Sequence, residues 1–174
     1  MNPVLETERL ILRLYTEDDA YDFFYLNSAP EVMRYVPDKA MQSTEEAREI
    51  LISHPIADYA RYGYGRWACV LKSTGEHIGF CGLKLLPELN EVDLGFRFLP
   101  AAWGKGFATE AARACVNHGF TVLKLNEIIG LAHPDNHGSI RVLEKVGMRI
   151  TGIVSPYGWP MNRYHVRRGD DAGW

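Results

Sequence analysis

Trp103-Gly104-Lys105-Gly106-Phe107-Ala108-Thr109-Glu110-Ala111 reads as a loop of small residues that turns directly into an alanine-rich helix. Gly104 and Gly106 remove the side chains that would hold a ligand off the backbone. The unpaired N–H groups of the helix start then face outward at the positive end of the helix dipole. Such a loop can cradle an anion, and a pyrophosphate fits it. The dinucleotide fingerprint G-x-G-x-x-G is not met, because Thr109 stands where its third glycine belongs, and the phosphate loop G-x-x-x-x-G-K-[ST] is absent. A two-glycine loop before a helix is also an ordinary capped turn, so the flanking sequence has to decide.

Upstream, Glu91-Val92-Asp93-Leu94-Gly95-Phe96-Arg97-Phe98 has the pattern of a strand that places Glu91 and Asp93 on one face. Arg66 to Lys72 and His77 to Leu86 read as two antiparallel strands around Ser73-Thr74-Gly75, continuing the meander into that strand. Farther back, Arg9 to Leu14 makes a first strand. Thr16 to Asn27 reads as a helix, and Ser43 to Ile52 as a second helix opening on Ser43 or Thr44 with Glu46 in a capping-box position. Downstream of the Thr109 to Leu123 helix, Ile128-Ile129-Gly130-Leu131-Ala132-His133 is a strand that must run parallel to the one before it, since a helix intervenes. Pro134 to Ser139 and a helix through Met148 follow, and Thr151 to Arg168 supplies two last strands around a loop rich in Pro, Gly, Trp and Tyr.

At 174 residues and 47% hydrophobic content, the chain can bury the core of one domain spanning residues 1–174. Its net charge of −3, with Lys and Arg scattered, argues against a nucleic-acid partner. No apolar run approaches the ~20 residues that cross a bilayer, so no membrane partner is expected. The three cysteines, Cys69, Cys81 and Cys115, form no C-x-x-C pair and read as reduced core residues, as in a cytoplasmic protein. His54, His77, His118 and His165 show no ligand spacing, so no metal is expected.

The glycine loop, the strand before it and the Pro134-Asp135-Asn136-His137-Gly138-Ser139 segment, in that order, resemble the GNAT superfamily of acetyl-CoA-dependent N-acetyltransferases. The opening Leu5-Glu6-Thr7-Glu8-Arg9-Leu10-Ile11-Leu12-Arg13, followed by Thr16-Glu17-Asp18-Asp19-Ala20, resembles the branch that holds the ribosomal-protein N-terminal acetyltransferases. The resemblance implies a mixed α/β fold. Its central, mostly antiparallel sheet is splayed between the fourth and fifth strands and flanked by helices. It also implies acetyl-CoA as co-substrate, an amine acceptor that is a protein N-terminus or a small amine, and a monomer or homodimer. Phe96, Arg97 and Phe98 would offer main-chain bonds to the pantetheine arm. Gly104, Lys105, Gly106, Phe107, Ala108 and Thr109 would hold the pyrophosphate, Asn136 would bond the arm from the other side, and Arg141 with Lys145 would meet the outer phosphate.

Acetyl transfer to an amine needs a neutral nucleophile, a stabilised oxyanion and a tolerable leaving thiolate. An α-amino group of pKa ~7.8 is about one-seventh neutral at pH 7, whereas a lysine of pKa ~10.4 is neutral in only a few molecules in ten thousand. The resemblance makes Asp93 the expected base, with Glu91 second; two neighbouring carboxylates would raise one pKa, as a base requires. Solvent-facing strand carboxylates are the plain alternative. His133 stands in reserve. Many superfamily members carry a tyrosine acid where this chain has Leu143, and Ser139 resembles the serine that the ribosomal branch places near the cofactor sulfur. Ser139 is equally suited to a helix cap. Tyr35, Trp67 and Tyr157, with Trp159, are the expected walls of an acceptor pocket. A non-catalytic acyl-CoA-binding module is the rival reading, and the missing tyrosine is its argument.

Overall fold

The computed structural model describes residues 3–170. Among these residues, eight strands form one sheet in the order β1-β2-β3-β4-β5-β6-β8-β7. They are β1 (Pro3–Glu6), β2 (Leu10–Arg13), β3 (Arg66–Leu71), β4 (His77–Leu86), β5 (Glu91–Phe98), β6 (Glu127–Ala132), β7 (Arg149–Val154) and β8 (Met161–Arg167). Only β5 and β6 run parallel, with helix α5 (Phe107–Thr121) between them in sequence. Pairing of these two strands is confined to Asp93 with Ile129, whereas β4 pairs with β5 along its whole length. The sheet therefore opens at β5/β6, and the main chain of β5 beyond Asp93 has no strand beside it on that edge.

Two cores hold the sheet. On one face Leu12, Trp67, Leu83, Leu94 and Ile128 pack against Ala111, Cys115 and Val116 of α5 and Leu143 of α6 (His137–Lys145). On the other, Ala68 and Phe80 pack against Phe23 and Leu26 of α1 (Ala20–Ser28) and Ala47 and Leu51 of α3 (Thr44–Leu51). A short α2 (Pro30–Met33) follows α1. Helix α3 starts on Ser43, whose hydroxyl accepts the Glu46 N–H at 3.1 Å, while Glu46 turns to the Gln42 N–H at 2.7 Å. It widens into a π-turn at Ile52–Ile56, where Pro55 can donate no bond, and resumes as α4 (Ala57–Tyr62).

Strand β1 was not expected from the sequence, in which the first strand begins at Arg9. Its four residues contain a proline, and pairing with β2 alone defines it. The three cysteines are buried free thiols, with Cys115 Sγ 3.5 Å from Cys81 Sγ. Burial pushes the Cys69 and Cys115 thiols well up, so they pack without reacting. Among the described residues, no helix is long and apolar enough to cross a membrane.

Candidate active site

A cleft of about 840 Å³ runs through the opening between β5 and β6. Phe96, Arg97 and Phe98 of β5 line it, as do Gly104, Gly106, Phe107, Ala108 and Thr109, Asn136, Ser139, Arg141 and Lys145, and Tyr35 beyond α2. The glycine loop is shaped as its sequence requires. Gly104 (φ 72°) and Gly106 (φ 83°) both occupy the left-handed region, and a Cβ on Gly106 would meet only the Arg9 guanidinium, at 3.4 Å. The first backbone bond of the turn is from the Glu110 N–H to the Gly106 carbonyl, at 3.0 Å. The N–H groups of Phe107, Ala108 and Thr109 precede it and are left to whatever enters the cleft. A pyrophosphate suits those donors, and the unpaired edge of β5 suits a ligand carrying amides.

Lys105 does not join them. It borders a separate hollow with Tyr21, Asp22 and Tyr25 and is not among the residues that line the cleft. Asn136 is nearly spent: its N–H goes to His133 O (2.9 Å), its carbonyl accepts from Ile140 (3.0 Å), and its Oδ1 caps α6 through the Ser139 N–H (3.1 Å). Only the Nδ2 donors remain for a ligand. Since Asn136 is the cap, the Ser139 hydroxyl is not needed for that task.

Asp93 and Glu91 are not coupled to each other. Asp93 is 7% exposed, and its Oδ2 pairs with Arg66 Nη2 at 2.5 Å. Its Oδ1 is shielded from solvent and has no hydrogen-bond partner. Arg66 reaches it along a lane cleared by glycines: its Nη1 donates to Gly82 O (2.6 Å) and Asp93 O (2.9 Å), and a Cβ on Gly95 would lie 2.3 Å from its guanidinium. Glu91 is gripped instead by Arg163, whose Nε donates at 3.1 Å and whose Nη2 makes the ion pair, in a network that also holds Glu127. The expected like-charge coupling is thus replaced by two separate ion pairs, one on each guanidinium, and neither carboxylate lines the cleft, which meets β5 at Phe96, Arg97 and Phe98.

Arg97 is a second half-buried cation. It donates to Asn27 Oδ1 at 2.5 Å and to Asp38 at 2.8 Å, tying α1 and the loop after α2 to the cleft wall. Burial lowers its pKa, and the Asp38 carboxylate works against that shift.

The aromatic residues divide. Tyr35 stacks on His133 with centroids 5.4 Å apart, and Trp159 meets the same imidazole edge-on at 4.9 Å, so an aromatic group closes the end of β6 beside the cleft. His133 Nδ1 accepts the Asp135 N–H at 3.2 Å, which gives it a turn-forming role. Tyr157 is half-exposed; burial and, next, the Asp93 carboxylate raise its pKa, which keeps the phenol protonated. Trp67 is no pocket wall. It is 1% exposed in the core against the ring of His118, because β3 turns this residue toward α5 and gives Arg66 to the opposite face. Leu143 is 1% exposed and packs over Gly130, so no proton donor replaces the tyrosine there. Arg66 and Asp38 were missed from the sequence; paired glycines on adjacent strands, Gly82 opposite Gly95, were the available sign of a long side chain crossing the sheet. Among the described residues, no group of three His, Cys, Asp or Glu side chains could hold a metal ion.

Known proteins share this architecture. The chain is 34% identical over 158 residues to the uncharacterized N-acetyltransferase YoaA of Bacillus subtilis, covering 90% of this chain and 89% of the relative. An acetyltransferase of Agrobacterium tumefaciens superposes with a TM-score of 0.83 at 26% identity, over 97% and 96% of the two chains. A GNAT-family acetyltransferase of Bacillus anthracis does so with 0.79 at 28% identity, over 94% and 97%. Residues 9–149 match the acetyltransferase (GNAT) domain. With its open β5/β6 edge and its glycine loop facing one cleft, the chain belongs to the GNAT family of acetyl-CoA-dependent acetyltransferases.

Proposed function

We propose that residues 1–174 act as one N-acetyltransferase domain in the cytoplasm, moving acetyl from acetyl-CoA to a primary amine by direct attack in a ternary complex. The observation that carries this reading is the placing of Asp93. It stands at the last pair before β5 and β6 part, with one carboxylate oxygen fixed by Arg66 and the other without a donor. A buried acceptor without a donor is costly, and an ammonium or a water brought to the end of the opening supplies one.

On this reading, the pyrophosphate sits on the N–H groups of Gly106 to Thr109, and the pantetheine arm runs along Phe96 to Phe98 with Asn136 Nδ2 opposite. Arg141 and Lys145 face the outer phosphate. The amine enters past Tyr35 and Tyr157, beside the Asp38 carboxylate, where a cation is favoured. Its proton passes to Asp93, directly or through one water. The freed lone pair forms the N–C bond to the acetyl carbonyl as the C–S bond breaks. Ser139 donates a hydrogen bond to the departing thiolate, whose release near pH 7 without a proton costs only about 2 kcal/mol. The nitrogen, still carrying one proton too many after attack, sheds it to solvent, the thiolate takes a proton from solvent to become CoA thiol, and Asp93 returns its own proton to bulk water.

A protein N-terminus and a small amine are both accommodated by this chemistry. Leu143 in the tyrosine's place favours a second reading, a non-catalytic acyl-CoA-binding module. Free-thiol release from acetyl-CoA, measured against peptides of varied N-termini and small amines, separates them. Release with one acceptor class supports the enzyme and names its substrate; tight co-substrate binding without release across the panel overturns it in favour of the binding module.

A further inference from the structure

Behind the glycine loop, on the side away from the cleft, lies a cluster that the transfer chemistry does not use. Glu110 sits in the first turn of α5, and four donors saturate its carboxylate. Thr7 Oγ1 (2.6 Å) and the Arg9 N–H (2.9 Å) bond Oε1, while Arg9 Nε and Nη2 (both 2.7 Å) take Oε2. Arg9 Nη1 donates to the Lys105 carbonyl at 3.0 Å, and the guanidinium lies 4.4 Å over the Phe107 ring. The corner is itself fixed, since Leu10 N–H donates to Thr7 Oγ1 (3.0 Å) and Lys72 Nζ to Thr7 O (2.7 Å).

A carboxylate in the first turn of a helix stabilises that helix. Here it also stands within a turn of the donors that face the cleft, where a bare negative charge would oppose an incoming phosphate. We propose that the Thr7–Arg9 corner is a positioning device for co-substrate binding. Arg9 cancels the Glu110 charge and holds the Lys105 carbonyl on the far side of the loop, so that the loop's N–H groups face the anion. Arg9 lines neither the cleft nor the neighbouring hollow, so it acts through Gly106 and Phe107 and not by contact with the ligand. The inference rests on the glycine loop being the pyrophosphate site.

Calorimetry with CoA tests it. Arg9→Ala should weaken CoA binding about tenfold, and adding Glu110→Gln to that variant should bring the affinity back to within about threefold of the parent, because the exposed charge is gone. In turnover, the Arg9→Ala defect should fall on KM for acetyl-CoA and not on kcat. A purely structural corner predicts the reverse, with the double variant at least as weak as the single. The proposal is overturned if Arg9→Ala binds CoA like the parent, or if the double variant gains nothing over it. Should Arg9→Ala fail to fold, Glu110→Gln alone decides: tighter CoA binding, from an Arg9 charge no longer cancelled, supports the device, and equal or weaker binding overturns it. Gly106→Trp keeps the two ideas apart. Normal CoA binding by that variant sinks the pyrophosphate assignment itself, whereas its failure beside normal binding by Arg9→Ala sinks only the role of Arg9.

Discussion

The two walls of the cleft are made of different material. The glycine-loop wall is largely backbone: N–H groups of one helix start, aimed by two left-handed glycines only two residues apart. The opposite side is side chains: Arg97 lines it, and behind it stand Asp38 of the loop after α2 and the Arg66–Asp93 pair of β3 and β5, held by ion pairs. A backbone wall recognises what is constant, the phosphates and amides of the co-substrate. A side-chain wall can change with few substitutions, and that suits the partner that varies among related enzymes. The contrast predicts that damage to one wall should alter one ligand and spare the other.

The largest effect should come from the side-chain wall. Asp93→Asn is expected to lower kcat by about 10²–10⁴-fold, the usual weight of a general base, with CoA affinity kept within about twofold. Asn still accepts from Arg66, so the fold should lose less than the ~3–5 kcal/mol that follows removal of a buried partner. Thiol-release kinetics beside CoA calorimetry measure both, and unchanged turnover across the pH range would remove Asp93 from the role. On the backbone wall, Gly106→Trp should raise the CoA dissociation constant about a hundredfold, because an L side chain strains the left-handed turn that aims the N–H groups and pushes on the Arg9 guanidinium behind it. Its thermal midpoint should stay close to the parent's, since little but Arg9 lies nearby. A midpoint that collapses together with binding would mean the loop is structural first.

A smaller effect tests how the walls are joined. Asp38→Asn removes the counter-charge from Arg97, whose other anchor is the fully buried Asn27. The Asp38 side chain is 67% exposed, so stability should change by no more than about 1 kcal/mol. The loop after α2 should loosen, raising KM for the amine about three- to tenfold while KM for acetyl-CoA stays level. Equal rises in both would show that Arg97 serves the shared space and not the acceptor's side.

What the sequence disclosed follows the same division. Gly104, Gly106 and Asn136 announce themselves because their work is local, a left-handed turn or a helix cap decided within a few residues. The parallel β5/β6 pair and its opening were legible from the intervening helix and from the resemblance. The side-chain wall was not. That Asp93 would meet Arg66 depends on Gly82 and Gly95 coming side by side across two strand registers, which no local pattern states. Glu91 shares a strand with Asp93, yet its partner Arg163 lies 72 residues away on β8. Trp67 misled because the phase of β3 could not be fixed from a strand whose residues are nearly all buried.

The smallest expected effect concerns the carboxylate behind the backbone wall, Glu110. Burial works to raise the Glu110 pKa, but the hydrogen bonds from Thr7 and Arg9 prevail and hold it below the usual glutamate value. A depressed folded-state pKa means that the contribution to stability is complete above the unfolded value of about 4.3 and is lost as pH falls through the folded one. Thermal midpoints of the parent should therefore drop on acidification below about pH 4.3, more steeply than those of Glu110→Gln, and the two should run parallel between pH 6 and 8. Since the pair with Arg9 is partly exposed, added salt should shrink that difference, and CoA affinity should rise over the same acid range in the parent alone, as the Arg9 charge is no longer cancelled. An equally steep acid limb in the variant would place the titration elsewhere, and the glycine wall would then be backbone throughout, with Arg9 and Glu110 serving only to tie the first hairpin to α5.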